Sequence, residues 1–346
     1  MNANPAAPLL AAVRTLALGG ALSADDAAAA FATIMEGNGT AAQTAALLMG
    51  LRVKGETADE VAGAARAMRG AMTTIAAPSP SSLVDTCGTG GGAVTTFNIS
   101  TAAALLAAGA GVRVAKHGNR SFTSKCGSAD VLEALGVAID LPVEKMAAVL
   151  ERAGIVFMFA PTMHPAMRHV GPVRREIAIP TVMNLIGPLA NPAHAGRQVI
   201  GVADAGRLEL MAKALCTLGT AHALVVHGEP GMDEISPLGP TRVIEIRGPT
   251  MTEWVLDPAE YGFNGIEAAA LAGGDPAENA ASIEGVLQGR SNRGAEAAVL
   301  LNAAGAIYVA GLAGHFASAL TVARHALAGG AGWDALQRLR SAAPRS

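Results

Sequence analysis

The ten residues LVDTCGTGGG at positions 83–92 combine a short apolar run with a loop that contains four glycines. The sequence NIST at 98–101 follows and opens an alanine-rich segment. This order predicts a strand, a glycine-rich loop and then a helix. Glycines let the backbone approach a ligand closely, and a helix start adds unpaired N–H groups and the positive end of a dipole. The stretch therefore favours anion binding, although an isolated GTGG is about as often only a tight connection.

Short β-branched runs alternate with alanine-rich segments on both sides of this loop. They lie at 83–84, 112–114, 155–158, 199–202, 223–226 and 243–246. Strands that alternate with helices predict an α/β fold with a mainly parallel central sheet, covered on both faces.

The N-terminal part of the chain predicts helices instead. Serine or threonine is followed three residues later by Asp, Gln or Glu in three places, which is the spacing of a helix start: Ser23 with Asp26, Thr40 with Gln43, and Thr57 with Glu60. We therefore predict a small helical domain at 1–76, with a proline-rich return segment near 161–192, and a large α/β domain at 77–160 and 193–346. The apolar faces of the short helices must be buried within the chain or against a second copy.

Several classes of function are disfavoured by the sequence. The glycine loop has neither the Gly-Lys-Ser/Thr of a Walker A loop nor the GxGxxG spacing of dinucleotide folds. A net charge of -3 provides no basic field for nucleic acid. Cys87, Cys126 and Cys216 have neither disulfide-frame nor zinc-site spacing. With no basic leader and no unbroken apolar stretch of about 18 to 20 residues, we expect a cytoplasmic protein with no membrane partner.

A second anion-friendly loop, KHGNRS at 116–121, follows the run at 112–114. Ligands of open α/β sheets bind at the carboxyl ends of the strands, so both loops are expected to border one crevice. Lys116 and Arg120 supply cationic donors, and hydroxyls come from Ser121, Thr123, Ser124 and Ser128. For Arg120, a structural ion pair and a position beside phosphate both remain open.

Two adjacent carboxylates, Asp233 and Glu234, follow the run at 223–226. Adjacent acids in a loop are usually solvated surface residues. Beside a glycine-lined phosphate site, however, hard oxygen ligands suit a magnesium ion that keeps several waters and bridges to phosphates. The sequence therefore predicts a magnesium site at the same edge of the sheet.

In this order the motifs resemble the anthranilate phosphoribosyltransferase family over roughly residues 16–310. They are DxxGTGG from Asp85, NxST from Asn98, KHGNRS from Lys116, GSADVLEALG at 127–136, FAPxxHPAM at 159–167, Val173-Arg174, NxxGPLxNP at 184–192, and VHG at 226–228 with Asp233-Glu234. Gln43 and LRVKGET at 51–57 extend the similarity into the helical part. KHGNRS and the motif from Asn184 are the most specific of these.

The resemblance implies the nucleoside-phosphorylase-like phosphoribosyltransferase fold, which usually forms a homodimer through the helical domain. It implies transfer of the phosphoribosyl group of phosphoribosyl pyrophosphate (PRPP) to anthranilate, with Mg²⁺, in tryptophan biosynthesis. Matching positions assign PRPP to Gly88, Gly91, Thr96, Asn98, Ile99, Ser100, Thr101, Lys116, His117, Gly118, Asn119, Arg120, Ser121, Ser124 and Ser128. They assign magnesium to Ser100, Asp233 and Glu234, and anthranilate to Gly88, Asn119 and Arg174. Lys116 is the expected catalytic residue, stabilising charge on the departing diphosphate.

One position departs from the family pattern. Most members have Asp after GTGG, whereas this chain has Gly92 followed by Ala93. We therefore leave Gly92 out of the metal site and expect altered magnesium dependence. His117 and His164 could relay a proton or line the aromatic pocket, but a packed, hydrogen-bonded histidine is the commoner case.

Two alternative functions follow from the same fold. A pyrimidine nucleoside phosphorylase carries a different glycine-rich signature, and the motifs at 159–167 and 184–192 disfavour it. A non-catalytic relative that binds nucleic acid would need a basic surface and eroded phosphate motifs, neither of which this sequence has.

Overall fold

The computed structural model describes residues 4–121 and 125–345, and within them a seven-stranded sheet has the order β3-β2-β1-β4-β5-β6-β7. The strands are β1 Val84–Gly88, β2 Val114–Gly118, β3 Ile155–Phe159, β4 Arg197–Gly201, β5 His222–Gly228, β6 Thr241–Arg247 and β7 Thr250–Leu256. The pairs from β3 to β5 are parallel, and β6 and β7 are added antiparallel. The predicted mainly parallel sheet is confirmed.

Two features of the sheet differ from the sequence prediction. Strand β2 begins at Val114 rather than at Val112, and β7 was not predicted at all. Six of the seven residues of β7 are at least partly exposed, because this strand lies at the edge of the sheet. Its only continuous apolar run is WVL at 254–256, at the end of the strand, so most of β7 lacks the signal on which the other predictions rested.

Three of the four N-terminal helices, α2 to α4, begin where the sequence predicts. They are α1 Ala7–Ala17, α2 Ala24–Met35, α3 Ala41–Lys54 and α4 Ala58–Ala71. The Ser23 side chain accepts a hydrogen bond from the Asp26 N–H at 3.1 Å, and Thr40 and Thr57 form reciprocal capping boxes with Gln43 and Glu60. These bonds satisfy N–H groups that have no partner within the first turn of a helix.

The remaining helices cover both faces of the sheet. They are α5 Ile99–Gly109, α6 Ser128–Ala134, α7 Val143–Ala153, α8 Ala160–Met163, α9 Gly171–Ile177, α10 Met183–Ile186, α11 Leu208–Leu218, α12 Pro276–Leu287, α13 Arg293–Ala310, α14 Phe316–Ala328 and α15 Ala331–Ala342. None of the helices in the described ranges is long and apolar enough to cross a membrane.

Two apolar cores lie on opposite faces of the sheet, because neighbouring residues of a strand point in opposite directions. Leu224 of β5 packs in the core formed by α5, α13 and α15, whereas Val225 packs in the core formed by the N-terminal helices and α11. The second core also contains Val182 and Leu185, so the segment near 161–192 packs with the N-terminal helices. Since this core runs on into β4 and β5, the domain boundaries at 76 and 193 stay a prediction.

Candidate active site

Loops from three strands meet at the carboxyl edge of the sheet. The Gly90 N–H donates to Asp233 Oδ2 at 2.8 Å, which joins the loop after β1 to the loop after β5. The Ser100 N–H at the start of α5 donates to Glu234 Oε1 at 3.2 Å. Lys116 Nζ, near the end of β2, lies 3.2 Å from Ser100 Oγ. The glycine loop, the lysine and the two carboxylates therefore form one continuous polar site.

Glycines make this convergence possible. A Cβ atom on Gly88 would lie 2.4 Å from Asp233 Oδ2, and one on Gly201 would lie 1.6 Å from the Asp233 carbonyl oxygen. Both distances are shorter than the contacts that real Cβ atoms make. The loop carrying Asp233 can therefore cross the ends of β1 and β4 only because the residues there are glycines. Gly90 and Gly91 have φ of +72° and +80°, which favours glycine in the exposed loop.

Lys116 is buried, with 2% of its surface exposed. Its Nζ donates to the Thr86 carbonyl oxygen and contacts the Ser100 hydroxyl. Burial lowers the pKa of Lys116, and the charges of Asp85 and Glu234 oppose that shift. The lysine therefore places a cationic group in a poorly solvated site, where an anion would be attracted more strongly than in water.

The two adjacent carboxylates also lack full solvation. Burial raises the pKa of Glu234 to about 8, with a further contribution from the charge of Asp233. Burial likewise raises the pKa of Asp233. A cation placed between these groups would relieve both effects.

The donor set fits magnesium. Asp233, Glu234 and Ser100 offer hard oxygens, and each of the two carboxylates is fixed in place by a hydrogen bond from a loop N–H to one of its oxygens. In the described part of the chain, no three His, Cys, Asp or Glu side chains form a metal cage. A magnesium ion held by Ser100, Asp233 and Glu234 would complete its shell with water and phosphate oxygens.

Gly92 stands directly beside these carboxylates. A Cβ atom on Gly92 would lie 3.2 Å from Asp233 Oδ1 and 3.1 Å from the Gly231 carbonyl oxygen. An aspartate at this position would therefore add a third carboxylate next to Asp233. The departure from the family pattern falls within the predicted metal site.

Most of the KHGNRS loop is folded onto the start of α6. Arg120 forms ion pairs with Asp130 at 2.7 Å and with Glu133, and these hydrogen bonds raise its pKa. Ser128 Oγ donates to the Asn119 carbonyl oxygen at 3.3 Å. A Cβ atom on Gly118 would lie 2.2 Å from Ser128 Oγ, so the strand end and the helix start are in close contact. Of the two roles left open for Arg120, the structure shows the ion pair.

The backbone of this loop is held by the same helix. Asp130 Oδ2 accepts from the N–H groups of Ser121 and Gly127, at 3.3 and 2.8 Å. Ser124, also predicted to bind PRPP, lies outside the described residues.

The residues predicted around the start of α5 differ in what they present to the crevice. Ile99 is fully buried in the core, and its N–H donates to the Phe97 carbonyl oxygen at 2.7 Å. Asn98 accepts from Asn279 Nδ2 at 2.9 Å and donates to the Cys126 carbonyl oxygen at 3.2 Å. Thr96 forms an isolated bridge with Ala272.

Thr101 is also buried, and its hydroxyl makes no hydrogen bond to a described residue. Of the residues from Asn98 to Thr101, Ser100 is therefore the one whose side chain is bonded to Lys116.

A buried carboxylate that was left off the predicted site holds the strand ends in register. Asp85 accepts from the His117 N–H at 3.1 Å and from Asn191 Nδ2 at 2.7 Å. Burial raises the pKa of Asp85 to about 6, although Lys116 and these hydrogen bonds oppose the shift. Asp85 and Asn191 both occur in the motifs, but no sequence pattern shows that they touch.

His117 and His164 form a buried pair with 3.1 Å between their Nε2 atoms. Burial lowers the pKa of His117 to about 3 and that of His164 to about 4, so both rings are neutral near pH 7. One Nε2 therefore carries the proton and donates to the other. This packed arrangement is the commoner of the two roles expected from the sequence, and it links the KHGNRS loop to the segment that leads into α9.

The histidine pair predicts a loss of stability in acid. A folded-state pKa below the unfolded value of about 6.5 contributes stability above pH 6.5 that is lost as pH falls through the folded pKa. For a histidine with a folded pKa of about 4, the free energy of unfolding is lower at pH 5 than at pH 7 by about 2 kcal/mol. In His164→Gln, the fall in free energy of unfolding between pH 7 and pH 5 should be smaller by about this amount. Urea titrations at the two pH values measure the free energy of unfolding, with a variant at an exposed histidine, His325→Gln, as control. Equal decreases in the two variants would contradict the prediction.

Arg174 on α9 is partly buried. Burial lowers its pKa, and no side chain or carbonyl in the described residues accepts a hydrogen bond from its guanidinium. A partly desolvated arginine without a described protein partner is suited to an anionic ligand, since its planar guanidinium can bind a carboxylate through two parallel hydrogen bonds.

Comparisons with known proteins agree with this geometry. Residues 10–72 match the model described as glycosyl transferase family, helical bundle domain, and residues 80–333 match glycosyl transferase family, a/b domain. The anthranilate phosphoribosyltransferase of Roseiflexus sp. (strain RS-1) is 52% identical over 319 residues, which cover 92% of this chain and 93% of the relative.

Solved structures are similar over the same length. The crystal structure of anthranilate phosphoribosyltransferase from Thermus thermophilus has a TM-score of 0.90 and 42% identity, covering 96% of this chain and 98% of that one. The enzyme from Saccharomyces cerevisiae in complex with PRPP and Mg has a TM-score of 0.87 and 27% identity, covering 96% and 97%.

Proposed function

This chain belongs to the anthranilate phosphoribosyltransferase family, and on that premise we propose that it transfers the phosphoribosyl group of PRPP to the amine of anthranilate. The products are N-(5-phosphoribosyl)anthranilate and pyrophosphate, and the reaction belongs to tryptophan biosynthesis. The observation that carries the proposal is the convergence of Gly90, Ser100, Lys116, Asp233 and Glu234 at one edge of the sheet. Such an edge is where open α/β sheets bind ligands.

The proposed reaction needs no covalent protein nucleophile. The anthranilate amine attacks the anomeric carbon while the bond to pyrophosphate breaks, and the protein holds both reactants in position. In this proposal Lys116, whose Nζ lies 3.2 Å from Ser100 Oγ at the same edge, would stabilise charge on the departing diphosphate. Ser100, Asp233 and Glu234 would hold Mg²⁺, which when bound neutralises part of that charge.

We propose that the donor lies along the predicted residues between Gly88 and Ser128, and that anthranilate lies against Asn119 and Arg174 near Gly88. The absence of a described protein partner for the Arg174 guanidinium supports a role in binding the anthranilate carboxylate. The aromatic amine is weakly basic and largely unprotonated at neutral pH, so no histidine is required to deprotonate it before attack.

Arg174→Lys is expected to raise the Michaelis constant for anthranilate by about tenfold or more, while that for PRPP changes by less than about twofold. A lysine keeps the charge but loses the two parallel hydrogen bonds that orient the ring. Steady-state kinetics with each substrate varied in turn measures the difference. Arg175→Lys, on the neighbouring exposed position of α9, is the matched control, and equal effects on both substrates would contradict the proposed role.

The direct test of the function follows the fluorescence of anthranilate in a mixture of purified protein, PRPP and Mg²⁺. Its fluorescence should fall only when all components are present. If folded protein leaves the signal unchanged, the proposed function is wrong. Phosphorolysis of a pyrimidine nucleoside, or a gel shift with single-stranded DNA at physiological salt, would instead favour one of the two alternative functions.

We propose that the protein is a cytoplasmic homodimer formed through its N-terminal helices. Leu18 at the end of α1 and Val53 on α3 are 89% and 79% exposed, and an interface there would remove their apolar surface from water. Light scattering of the purified protein at several concentrations tests it; a monomer throughout would overturn the proposed dimer but not the enzyme.

A further inference from the structure

A pocket of about 450 Å³ lies between the ends of α12 and α14 and the starts of α13 and α15. Its volume is within the roughly 300–1,000 Å³ of small-molecule sites. Residues that line it include Leu287, Gln288, Glu296, Leu300, Arg324 and Trp333. None of the residues proposed above for PRPP, anthranilate or magnesium lines this pocket.

One side of the pocket is apolar and rigid. Leu287 and Leu300 are almost completely buried, so they form its floor. Trp333 is partly buried, and the Arg340 guanidinium stacks on its ring at 5.5 Å from the centroid. A ligand lying here would remove apolar surface from water on both sides of the contact.

The other side carries one acid, one base and one amide. Gln288 Oε1 is buried and has no hydrogen-bond partner among the described residues. Glu296 forms no ion pair with any described residue. Arg324 donates one Nη2 bond to the Tyr261 carbonyl oxygen at 2.7 Å and leaves its other nitrogens without a described acceptor.

We infer that this pocket binds an apolar α-amino acid. The ammonium group lies toward Glu296, the carboxylate toward Arg324, and the apolar side chain against Leu300 and Trp333. A fatty acid would pair with Arg324 but leave Glu296 unpaired, and an apolar amine would leave Arg324 unpaired. A zwitterion with an apolar side chain pairs with both charged groups and covers the apolar wall.

Calorimetric titration of the full chain with L-leucine, L-phenylalanine and L-tryptophan tests the inference. At least one should bind saturably at one site per chain, also in the presence of saturating anthranilate alone or saturating PRPP alone. Leucinamide and isocaproate, which lack the carboxylate and the ammonium, should each bind about tenfold or more weaker than leucine. Absence of saturable binding for all three amino acids, displacement by anthranilate, or equal binding of either analogue would overturn it.

Two variants locate the binding in this pocket. Glu296→Gln should weaken binding by about tenfold or more, since it removes the partner of the ammonium group. Ala328→Trp should abolish binding, because Ala328 lines the pocket and a larger side chain fills it. Glu144→Gln is the matched control, since Glu144, like Glu296, lies in the first turn of its helix. If neither Glu296→Gln nor Ala328→Trp changes the affinity, the ligand binds elsewhere and the inference is wrong.

Discussion

Lys116→Met is expected to lower kcat/KM by about 10²–10³-fold, the range seen when one preorganised donor is removed from a charge-stabilising site. Methionine has an unbranched apolar chain like the stem of lysine, but it lacks the terminal ammonium group and carries no charge. Lys116 is buried, and its charge interacts with Asp85 and with Glu234, which we propose as a magnesium ligand. Its loss would therefore remove positive potential from the place where the departing diphosphate develops charge.

Steady-state kinetics should be paired with a urea titration, because Lys116 also bonds the Thr86 carbonyl oxygen. A purely structural role would lower the free energy of unfolding and leave kcat of the folded fraction unchanged. Lys145→Met, at an exposed position of α7, is the control for loss of one lysine. A folded Lys116→Met protein that keeps kcat/KM within about tenfold of the parent would contradict the catalytic assignment.

Local sequence signals were sufficient for much of this architecture. The helix starts at Ser23, Thr40 and Thr57 depend on residues only three positions apart, and the structure contains each of them. Runs such as 155–158 are buried on both faces in a parallel sheet, so their apolar continuity is visible without knowledge of their neighbours. The convergence of the glycine loop, Lys116 and the acidic pair followed from one rule about the carboxyl ends of parallel strands.

Contacts between distant parts of the chain could not be found in this way. Asp85 and Asn191, which share a hydrogen bond, are 106 positions apart. Asn302 forms hydrogen bonds with the N–H and the carbonyl of Ile235, next to the acidic pair, and lies 67 positions away in the sequence. Neither pair has a spacing that sequence reasoning could use. Arg120 is different, because Asp130 and Glu133 are three residues apart on α6 and so share a face. That spacing could have indicated the ion pair.

Glu234→Gln is expected to lower kcat/KM by about 10²-fold or more and to shift the magnesium dependence to higher concentration. The substitution is nearly isosteric, and the glutamine Oε1 can still accept the hydrogen bond from the Ser100 N–H. It therefore removes the charge while keeping the contact that joins the loop after β5 to the start of α5. Activity measured over a magnesium series, with Glu229→Gln on the same loop as control, separates the metal role from a general effect of losing one acid.

The stability of the same variant should move in the opposite direction. Because the pKa of Glu234 is raised from its ordinary value of 4.5 to about 8, its ionised form is disfavoured in the folded protein, and stability falls as pH rises from the lower of these values to the higher. Replacing it with a neutral side chain removes this penalty at pH 7 in metal-free buffer, so the free energy of unfolding should stay equal or increase. A more stable and less active protein is the pattern of a group retained for function at a cost to folding. Lower stability together with normal magnesium dependence would mean that Glu234 only supports the loop.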